Sequence, residues 1–316
     1  MTTPLVSILI PAFRTTWLDL AMASAVAQTV RDVEIIVSDD TRDERVANIV
    51  QKWSDPRIRY MKNPNRGLIC TNRNNLIAQA RGRYLKFLFD DDFLLPHSIE
   101  SLLAAVEASG AKLAFHSRHV VDGDGCVLAS PQLVTGAAPQ RLSRDFFFNQ
   151  LIAHAANLIG EPSNILIDTA GIPDLQRLFT IQQRHMGFLS DVALYANFMR
   201  LDLGIVGVAQ FGSAFRVHAQ QTSGAGYAGY SAGLFEWDLF RRWSAECGYM
   251  SRDAFEQGRE MQRQMYQAHV ARFPELAYFN RLNAQAPQEH FLTRDFMEAL
   301  NLGYSTIALR KFARAR

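Results

Sequence analysis

Two runs of aspartates are the residues best suited to chemistry in this sequence. Asp39-Asp40 and Asp90-Asp91-Asp92 each follow an apolar segment. Consecutive carboxylates repel one another unless cations or solvent offset the cost. A divalent metal is the economical explanation, because Mg²⁺ or Mn²⁺ prefers carboxylate oxygens and leaves coordination positions for water and phosphate oxygens. The two runs therefore favour a metal site that binds a diphosphate.

The segments that precede the aspartates predict a parallel sheet. Nearly continuous apolar runs are typical of strands covered on both faces, and here they alternate with helical patterns. The strands are expected at residues 5–11, 33–38, 58–61 and 84–89, and the helices at 16–28, 68–80 and from Pro96 onward. Ligand crevices lie at the carboxyl ends of parallel strands, so both aspartate runs should meet at one edge of the sheet.

The second half of the chain has a more mixed pattern. Residues 112–121 predict another strand, followed by a turn at 122–125 that indicates a hairpin. A buried helix is expected at 146–152 and further strands at 164–167 and 205–211. The Gly-, Ala- and Tyr-rich segment 223–233 predicts a mobile linker or lid, and 235–273 a helical region with Arg-rich polar faces.

The bulk composition excludes several classes of protein. The 316 residues are 48% hydrophobic, enough for a sizeable core, and the net charge of +2 is spread along the chain, which gives no reason to expect nucleic acid. Three distant cysteines favour neither a disulfide framework nor a zinc site, which suits a reducing compartment. No signal-peptide pattern and no segment of membrane-spanning length is found, so we expect a cytoplasmic protein.

The ordered motifs resemble a family 2 glycosyltransferase of the GT-A fold. They are VSILIPAF at 6–13, VEIIVSDD at 33–40 and NRGLICTNRNNLIAQARGRYLKFLFDDD at 65–92, in which the aspartates occupy the family's DXD position. The resemblance covers about the first 120 residues well and reaches more loosely to His218. It implies an α/β fold with a mostly parallel, Rossmann-like sheet flanked by helices and followed by a C-terminal helical extension.

The resemblance also implies a metal-binding set. Alignment on the surrounding motif places Phe89 at the first Asp of DXD and Asp91 at the second, so Asp91 is expected to be the chief ligand of Mn²⁺ or Mg²⁺. Asp90 is expected to replace the lost ribose contact of that first Asp. Asp92 and His218 are the further metal-ligand candidates, because an imidazole in the later family segment can join the metal or the diphosphate.

The nucleotide-binding residues follow from the same resemblance. Pro11, Ala12 and Phe13 are expected to line the base pocket, with Asp39 accepting a hydrogen bond from the base edge and Asp40 beside it. A uracil N–H would suit such an acceptor. The remaining donor-site residue is Arg73, which is expected to bind the diphosphate because a planar guanidinium can engage two oxygens.

Sugar transfer with inversion requires a base that deprotonates an acceptor hydroxyl. Asp191 falls where the family has a Glu-Asp pair before a helix, with Ser190 in place of the Glu, and is the candidate base. Asp191 can alternatively cap that helix. A UDP-sugar is the leading donor and a carbohydrate or lipid-linked acceptor in polysaccharide or glycolipid assembly is the expected partner.

Three further expectations complete the hypothesis. The donor-binding half is placed at 1–122, the acceptor and catalytic-base half of the same domain at 123–222, and the linker or lid with its helical region at 223–316. The basic residues Arg310, Lys311, Arg314 and Arg316 suggest peripheral contact with the inner face of a membrane. The alternatives are a nucleotidyltransferase, although residues 11–17 lack a glycine-rich triphosphate loop, and a catalytically degenerate nucleotide-sugar-binding protein.

Overall fold

The computed structural model describes residues 3–67, 70–224, 226–285 and 290–314. They divide into two units. Unit 1 contains 1–142, 158–179 and 197–218, and unit 2 contains 143–157, 180–196 and 219–316. This division follows contacts within the chain, and the three functional segments expected from the sequence stay a prediction.

The four apolar runs of the first half form the parallel side of the sheet in unit 1. These strands are β1 (Val6–Ala12), β2 (Val33–Asp39), β3 (Ile58–Lys62) and β4 (Tyr84–Phe87), and they lie in the order β3-β2-β1-β4. Every residue of β2 is buried, and in β1 only Pro11 is partly exposed. Burial on both faces explains why these strands read as unbroken apolar runs rather than as alternating ones.

Helices flank the sheet of unit 1 as predicted. They are α1 (Leu18–Val26), α2 (Arg45–Val50), α3 (Thr71–Gln79) and α4 (Ser98–Ser109). In α4 the side chains of Ile99, Leu102 and Val106 are buried. In α1 Leu18 and Met22 are buried, whereas Leu20 is exposed. The predicted helix start at Leu68 lies outside the described residues.

The rest of the sheet is mixed. Its strands are β5 (Phe93–Leu94), β6 (Leu113–Val121), β7 (Val127–Ala129), β8 (Gln140–Arg141), β9 (Ile165–Asp168) and β12 (Ile205–Arg216). Beyond β4 the order is β9-β6-β12-β5, where β9 runs antiparallel to both neighbours and β12 runs parallel to β6. The predicted hairpin is confirmed, since β7 pairs with β6. The α/β fold class with a helix-flanked sheet is therefore confirmed.

Unit 2 is mainly helical. It contains α5 (Arg144–Phe146), which continues as a π-helical turn over Phe147–Ile152, and a small hairpin of β10 (Thr180–Ile181) and β11 (Arg184–His185). The α-helix α6 (Ser190–Arg200) begins in unit 2, and the later helices are α7 (Tyr230–Glu246), α8 (Arg252–His269), α9 (Leu276–Ala284) and α10 (Arg294–Arg314). In the described part of the chain, none of the helices combines the length and the apolar character needed to cross a bilayer.

Three expectations about unit 2 need correction. The linker expected at 223–233 ends earlier, because α7 begins at Tyr230 and Ser231–Gly233 are buried in it. The helical region expected at 235–273 is broken after Glu246, where Gly248 has a φ of +72° that suits glycine. The expected polar Arg face is also wrong for Arg241 and Arg242, which are buried.

Candidate functional site

The strand ends of unit 1 bring most of the candidate residues of the first half to one edge of the sheet. The carbonyl of Ala12 accepts a hydrogen bond from the backbone N–H of Asp40 (2.8 Å), which ties the end of β1 to the end of β2. On the other side of β1, the carbonyl of Leu9 accepts from Leu88, just before the aspartates that follow β4. Parallel pairing of β1 with both neighbours therefore places Phe13, Asp40 and Asp90 at the same edge, as the sequence predicted.

Asp90 fastens the segment after β1 to the segment after β4. Its Oδ2 accepts hydrogen bonds from the backbone N–H groups of Phe13 and Arg14, both at 2.6 Å. Burial, followed by the charge of Asp91, raises the pKa of Asp90 to about 6, although the two backbone donors act in the opposite direction. Asp90 thus holds the backbone of the expected base pocket.

Asp91 is the more accessible carboxylate of this run. Its Oδ2 lies 3.0 Å from Nε2 of His218 and 3.4 Å from Nη1 of Arg14. The ring of His218 is set against Trp17, with a distance of 4.6 Å between the ring centroids. Asp91 and His218, both named above as metal-ligand candidates, are therefore in contact although 127 residues separate them.

The donor set around Asp91 fits a divalent cation that takes few protein ligands. One carboxylate oxygen and one imidazole nitrogen converge, and Mn²⁺ accepts both kinds of donor while water or phosphate oxygens fill other positions. Within the described ranges, no group of three or more His, Cys, Asp or Glu side chains is arranged to hold a metal ion. The residues fit a metal that depends on a phosphate ligand better than one bound by the protein alone.

Asp92 points into the protein interior. It is 1% exposed, and its Oδ1 accepts from the backbone N–H of Arg216 (3.1 Å). Burial, followed by the charges of Glu161 and Asp91, raises the pKa of Asp92 well above its ordinary value. Nearby Lys86 is fully buried, which lowers its pKa to about 7, and its Nζ donates to the carbonyl of Ser163 (2.6 Å). Asp92 therefore belongs to a buried charged network, and its role as a metal ligand stays a prediction.

Asp39 is surrounded by donors from the protein. Oδ1 accepts from the backbone N–H and hydroxyl of Thr41 at 2.7 and 2.6 Å, and Oδ2 accepts from the Tyr60 hydroxyl at 2.7 Å and lies 2.8 Å from Nζ of Lys62. Burial tends to raise its pKa, but these donors outweigh burial and lower it. A carboxylate has about four lone-pair sites, so Asp39 must give up a partner before it accepts from a nucleotide base.

Asp40 shapes the segment after β3. It is half-buried, and its Oδ1 accepts from Nδ2 of Asn63 (2.6 Å) and the backbone N–H of Gly67 (3.3 Å). Gly67 has a φ of +75°, a backbone conformation that favours glycine. The carboxylate therefore fixes a turn at residues 65–67, the NRG segment with which the third quoted motif begins.

The remaining donor-site candidates also lie in unit 1. The side chain of Phe13 is 59% exposed, which leaves a ring face available for stacking, whereas Ala12 is buried and Pro11 is half-buried. The guanidinium of Arg73 lies 3.9 Å from the centroid of the Phe179 ring, and its Nε and Nη2 donate to the side-chain oxygen of Asn74. Arg73 is thus held in a stacked position, and its contact with a diphosphate stays a prediction.

Asp191 belongs to unit 2, in the first turn of α6. Its Oδ2 accepts from Nδ2 of Asn157 (2.7 Å) and its Oδ1 from the backbone N–H of Val192 (2.9 Å). The side chain is half-buried. Both interpretations of Asp191, as helix cap and as base, are compatible with its place in the first turn of α6 and with its half-buried side chain.

A family comparison identifies the first half of the molecule. Residues 7–159, just under half of the chain, match the family model described as "Glycosyl transferase family 2". Residues 7–159 belong to glycosyltransferase family 2. All the aspartates at the edge of the sheet, together with Arg14 and Arg73, lie inside this family 2 domain.

Curated relatives match the same part of the chain. Chondroitin synthase of Pasteurella multocida (strain Pm70) is 30% identical over 155 residues, which is 48% of this chain and 15% of the relative. A Campylobacter jejuni GalNAc(5)-diNAcBac-PP-undecaprenol beta-1,3-glucosyltransferase is 38% identical over 104 residues, 32% of this chain and 34% of the relative. The chain thus spans about a third or less of the length of these two relatives.

Solved structures extend the similarity to the fold of the whole chain. Staphylococcus aureus TarS 1–349, in complex with UDP-GlcNAc, has a TM-score of 0.55 at 12% identity and covers 95% of this chain and 90% of its own. The longer TarS structure gives a TM-score of 0.60 at 13% identity and covers 98% of this chain and 52% of its own. At such low identity the likeness shows the fold alone, which is GT-A as expected.

Three charged residues in or near the candidate site were not predicted from the sequence. Arg14 contacts both Asp90 and Asp91 from the end of β1. Arg216 is buried, and its guanidinium donates to the carbonyls of Asp91, Asp122 and Gly123, which fixes the backbone of the aspartate run. Both residues lie at or just after the end of an apolar strand. A cation at such a position is ordinarily expected to be solvated, so the sequence did not indicate a role for either.

The third missed residue supports the segment before Asp191. Glu236 is fully buried in α7 and accepts from the backbone N–H groups of residues 187–189 at 2.6, 3.1 and 2.6 Å. The hydroxyl of Tyr304 donates to the same carboxylate at 2.8 Å. All of these residues lie in unit 2. The signal was an acid between the apolar residues Phe235 and Trp237 of a helical run, 45 residues after Asp191.

Proposed function

We propose that this protein is a metal-dependent, inverting glycosyltransferase that moves a sugar from a nucleoside diphosphate donor, with a UDP-sugar as the leading choice, to a hydroxyl acceptor. The observation that carries the proposal is the set of Asp91, His218 and Arg14 at the carboxyl edge of the sheet, of which Asp91 and Arg14 lie inside the matched family 2 residues. The complexes of TarS with UDP-GlcNAc and with UDP support the choice of donor class.

The donor nucleotide is assigned to the edge formed by β1 and β2. Phe13 offers an exposed ring on which a base can stack, and Pro11 and Ala12, which precede it at the end of β1, are assigned to the same pocket. Asp40 is the better acceptor for the nucleoside, because Asp39 is already surrounded by donors. Asp39 then acts by exchanging one partner or by positioning Tyr60 and Lys62.

The diphosphate is assigned to Asp91 and its neighbours. Asp91 and His218, with Asp92 as the further candidate, would hold Mn²⁺ or Mg²⁺, which neutralises the charge of the departing diphosphate. Arg73 adds a planar cation that can bind two phosphate oxygens. Asp90 maintains the backbone around this site through its bonds to Phe13 and Arg14 and takes the place of the missing ribose-binding Asp, since Phe89 has no acceptor.

Asp191 is assigned as the general base. The acceptor oxygen attacks the anomeric carbon, its proton passes to the Asp191 carboxylate, and the bond between that carbon and the diphosphate oxygen breaks. Glu236 and Tyr304 hold the segment that precedes Asp191. The serine at position 190 removes one carboxylate from this region and leaves Asp191 as the available base.

The acceptor and location follow from relatives named for polysaccharide and undecaprenol-linked products. We propose a carbohydrate or lipid-linked acceptor and a cytoplasmic protein that contacts the inner face of the membrane. Of the basic C-terminal residues, Arg310 pairs with Glu275 at 2.6 Å and Lys311 lies over the Tyr227 ring. The Arg314 side chain and Arg316 lie outside the described residues. Co-sedimentation with anionic vesicles tests the contact, and equal recovery with neutral vesicles contradicts it.

Calorimetric titration with UDP, GDP and dTDP, with and without Mn²⁺, tests the donor assignment. Tightest binding of UDP that requires Mn²⁺ is expected. Turnover of UDP-sugars on an acceptor panel then tests the base: Asp191→Asn should lower the rate by about 10²–10⁴-fold and leave UDP affinity unchanged. The matched control is Asp253→Asn, because Asp253 occupies the first turn of α8 as Asp191 does in α6.

A second candidate function is a nucleotide-sugar-binding protein without turnover. The replacements at Phe89 and Ser190 favour it, since each removes a carboxylate that the family pattern supplies. Mn²⁺-dependent UDP binding without turnover on any acceptor, and with no effect of Asp191→Asn, would support this alternative. Failure of every nucleoside diphosphate to bind would overturn both functions.

A further inference from the structure

Arg14 is a cation placed directly on the two carboxylates of the candidate metal site. Its Nη1 lies 3.4 Å from Oδ1 of Asp90 and 3.4 Å from Oδ2 of Asp91. The side chain is only 17% exposed. The same Oδ2 of Asp91 lies 3.0 Å from Nε2 of His218. One carboxylate oxygen therefore faces both a guanidinium and an imidazole.

The two partners of Asp91 differ in what they can do for a metal ion. A neutral imidazole has a lone pair and can become a ligand, whereas a guanidinium has only donors and keeps its positive charge. A divalent cation that binds Asp91 must therefore overcome the repulsion of Arg14 or displace its side chain. His218 can stay beside the metal, but Arg14 competes with it.

The backbone of Arg14 is held independently of its guanidinium. Its N–H donates to Oδ2 of Asp90 at 2.6 Å, beside the matching bond from Phe13. The side-chain distances of 3.4 Å exceed the roughly 2.7–2.9 Å of strong charge-assisted hydrogen bonds. The guanidinium can thus leave Asp91 without moving the backbone of the segment after β1.

We propose that Arg14 is an internal counter-ion of Asp91 that competes with the divalent cation and moves to the phosphates when the nucleoside diphosphate binds. The inference rests on the proposed function and adds a binding residue to it. It predicts that the metal alone binds weakly and that metal and nucleotide strengthen each other's binding. A planar guanidinium suits this exchange, because it binds carboxylate and phosphate oxygens with the same geometry.

Mn²⁺ titration followed by electron paramagnetic resonance, without nucleotide and then with UDP, tests the proposal. Arg14→Gln should bind Mn²⁺ alone more tightly, on the order of fivefold for a partly exposed ion pair, and should bind UDP less tightly in saturating Mn²⁺. The enhancement of Mn²⁺ affinity by UDP should therefore shrink. Arg14→Lys, which keeps the charge, should stay near the wild-type Mn²⁺ affinity.

The control is Arg31→Gln, which removes the same charge from an exposed residue just before β2, at the opposite end of the strand. Arg14→Met serves as a second neutral variant, and thermal denaturation checks that each variant folds. Unchanged or weaker Mn²⁺ binding in both neutral variants overturns the inference, even when wild-type UDP binding requires Mn²⁺ and Asp91. Absence of any Mn²⁺-dependent UDP binding in the wild type overturns the proposed function and this inference together.

Discussion

Similar acidic runs lie at the ends of β2 and β4, but their carboxylates have different partners. At the end of β2, all the acceptor sites of Asp39 face donors from Thr41, Tyr60 and Lys62. At the end of β4, Asp91 contacts Arg14 and His218, both of which are side chains that can change partner. The environment, rather than the residue type, separates a carboxylate that supports the fold from one that can bind a ligand.

The pKa directions express the same difference. Donors around Asp39 outweigh its burial and lower its pKa, whereas burial and the neighbouring charge raise the pKa of Asp90 to about 6. The β2 end is therefore stabilised in its charged form. The β4 end concentrates negative charge that lacks enough internal compensation, which is the condition a cation relieves.

The largest expected effect belongs to Asp91. Asp91→Asn should weaken Mn²⁺-dependent UDP binding by at least about a hundredfold, because loss of partners outside the first coordination shell already costs about 10–100-fold. The melting temperature should stay close to that of the wild type, since Asp91 is not saturated by internal donors. Calorimetry and thermal denaturation measure the two quantities. Asp32→Asn, a change at the opposite end of β2, is the control, and equal UDP affinity in both variants would contradict the assignment.

Asp39 should show the reverse pattern. Asp39→Asn leaves an amide N–H₂ facing donors, so the free energy of unfolding should fall by about 2 kcal/mol, in the range for an unsatisfied buried group. UDP affinity of the folded variant should change less than in Asp91→Asn. Urea denaturation measures the stability. Full stability combined with lost UDP binding would instead support the base-binding role of Asp39 that the family resemblance implies.

Much of this edge of the sheet could be predicted from the sequence. Continuous apolar runs predicted the ends of β1 and β2 within a residue or two, and parallel winding then required Asp40 and Asp90 to lie at the same edge of the sheet. Saturation of Asp39 could not be predicted, because its partners Tyr60 and Lys62 come from β3 and no local pattern specifies that their side chains point at Asp39. Arg14 was missed because a cation after a strand is ordinarily solvated.

The helical unit was harder to predict for a related reason. Arg241 and Arg242 follow a helical pattern that suits an exposed face, but Gln262 on α8 and Asp238 one turn earlier supply buried partners. Glu236 likewise contacts backbone N–H groups of residues 187–189, far away in sequence. Buried charges of this kind depend on tertiary partners, which a helical period does not encode.

The contributions of Asp39 and Asp90 to stability should change with pH in opposite directions. The lowered pKa of Asp39 gives stability that is present above its unfolded pKa of about 3.9 and is lost as the pH falls. The raised pKa of Asp90 means that the folded protein binds the extra proton between about pH 4 and 6, so its contribution weakens as the pH rises, by at most about 1.4 kcal/mol per pH unit.

Denaturation of the wild type, Asp39→Asn and Asp90→Asn at about pH 4.5, 5.5 and 7 tests these two directions of change in stability. As the pH rises, the free energy of unfolding of the wild type should fall relative to that of Asp90→Asn. The wild-type advantage over Asp39→Asn should stay constant through this range and decrease only at lower pH. Parallel curves for all three proteins would contradict the contrast between the two ends.

Tyr60→Phe should give the smallest effect and the finest test of the comparison. It removes one donor from Asp39 but keeps the ring, so the free energy of unfolding should fall by about 1 kcal/mol, the net value of a typical hydrogen bond. Because the vacated acceptor site is the one that a base N–H would need, UDP affinity should stay equal or rise. A loss of UDP affinity at unchanged stability would show that the Tyr60 hydroxyl itself contacts the nucleotide, and Asp39 would then position it rather than bind the base.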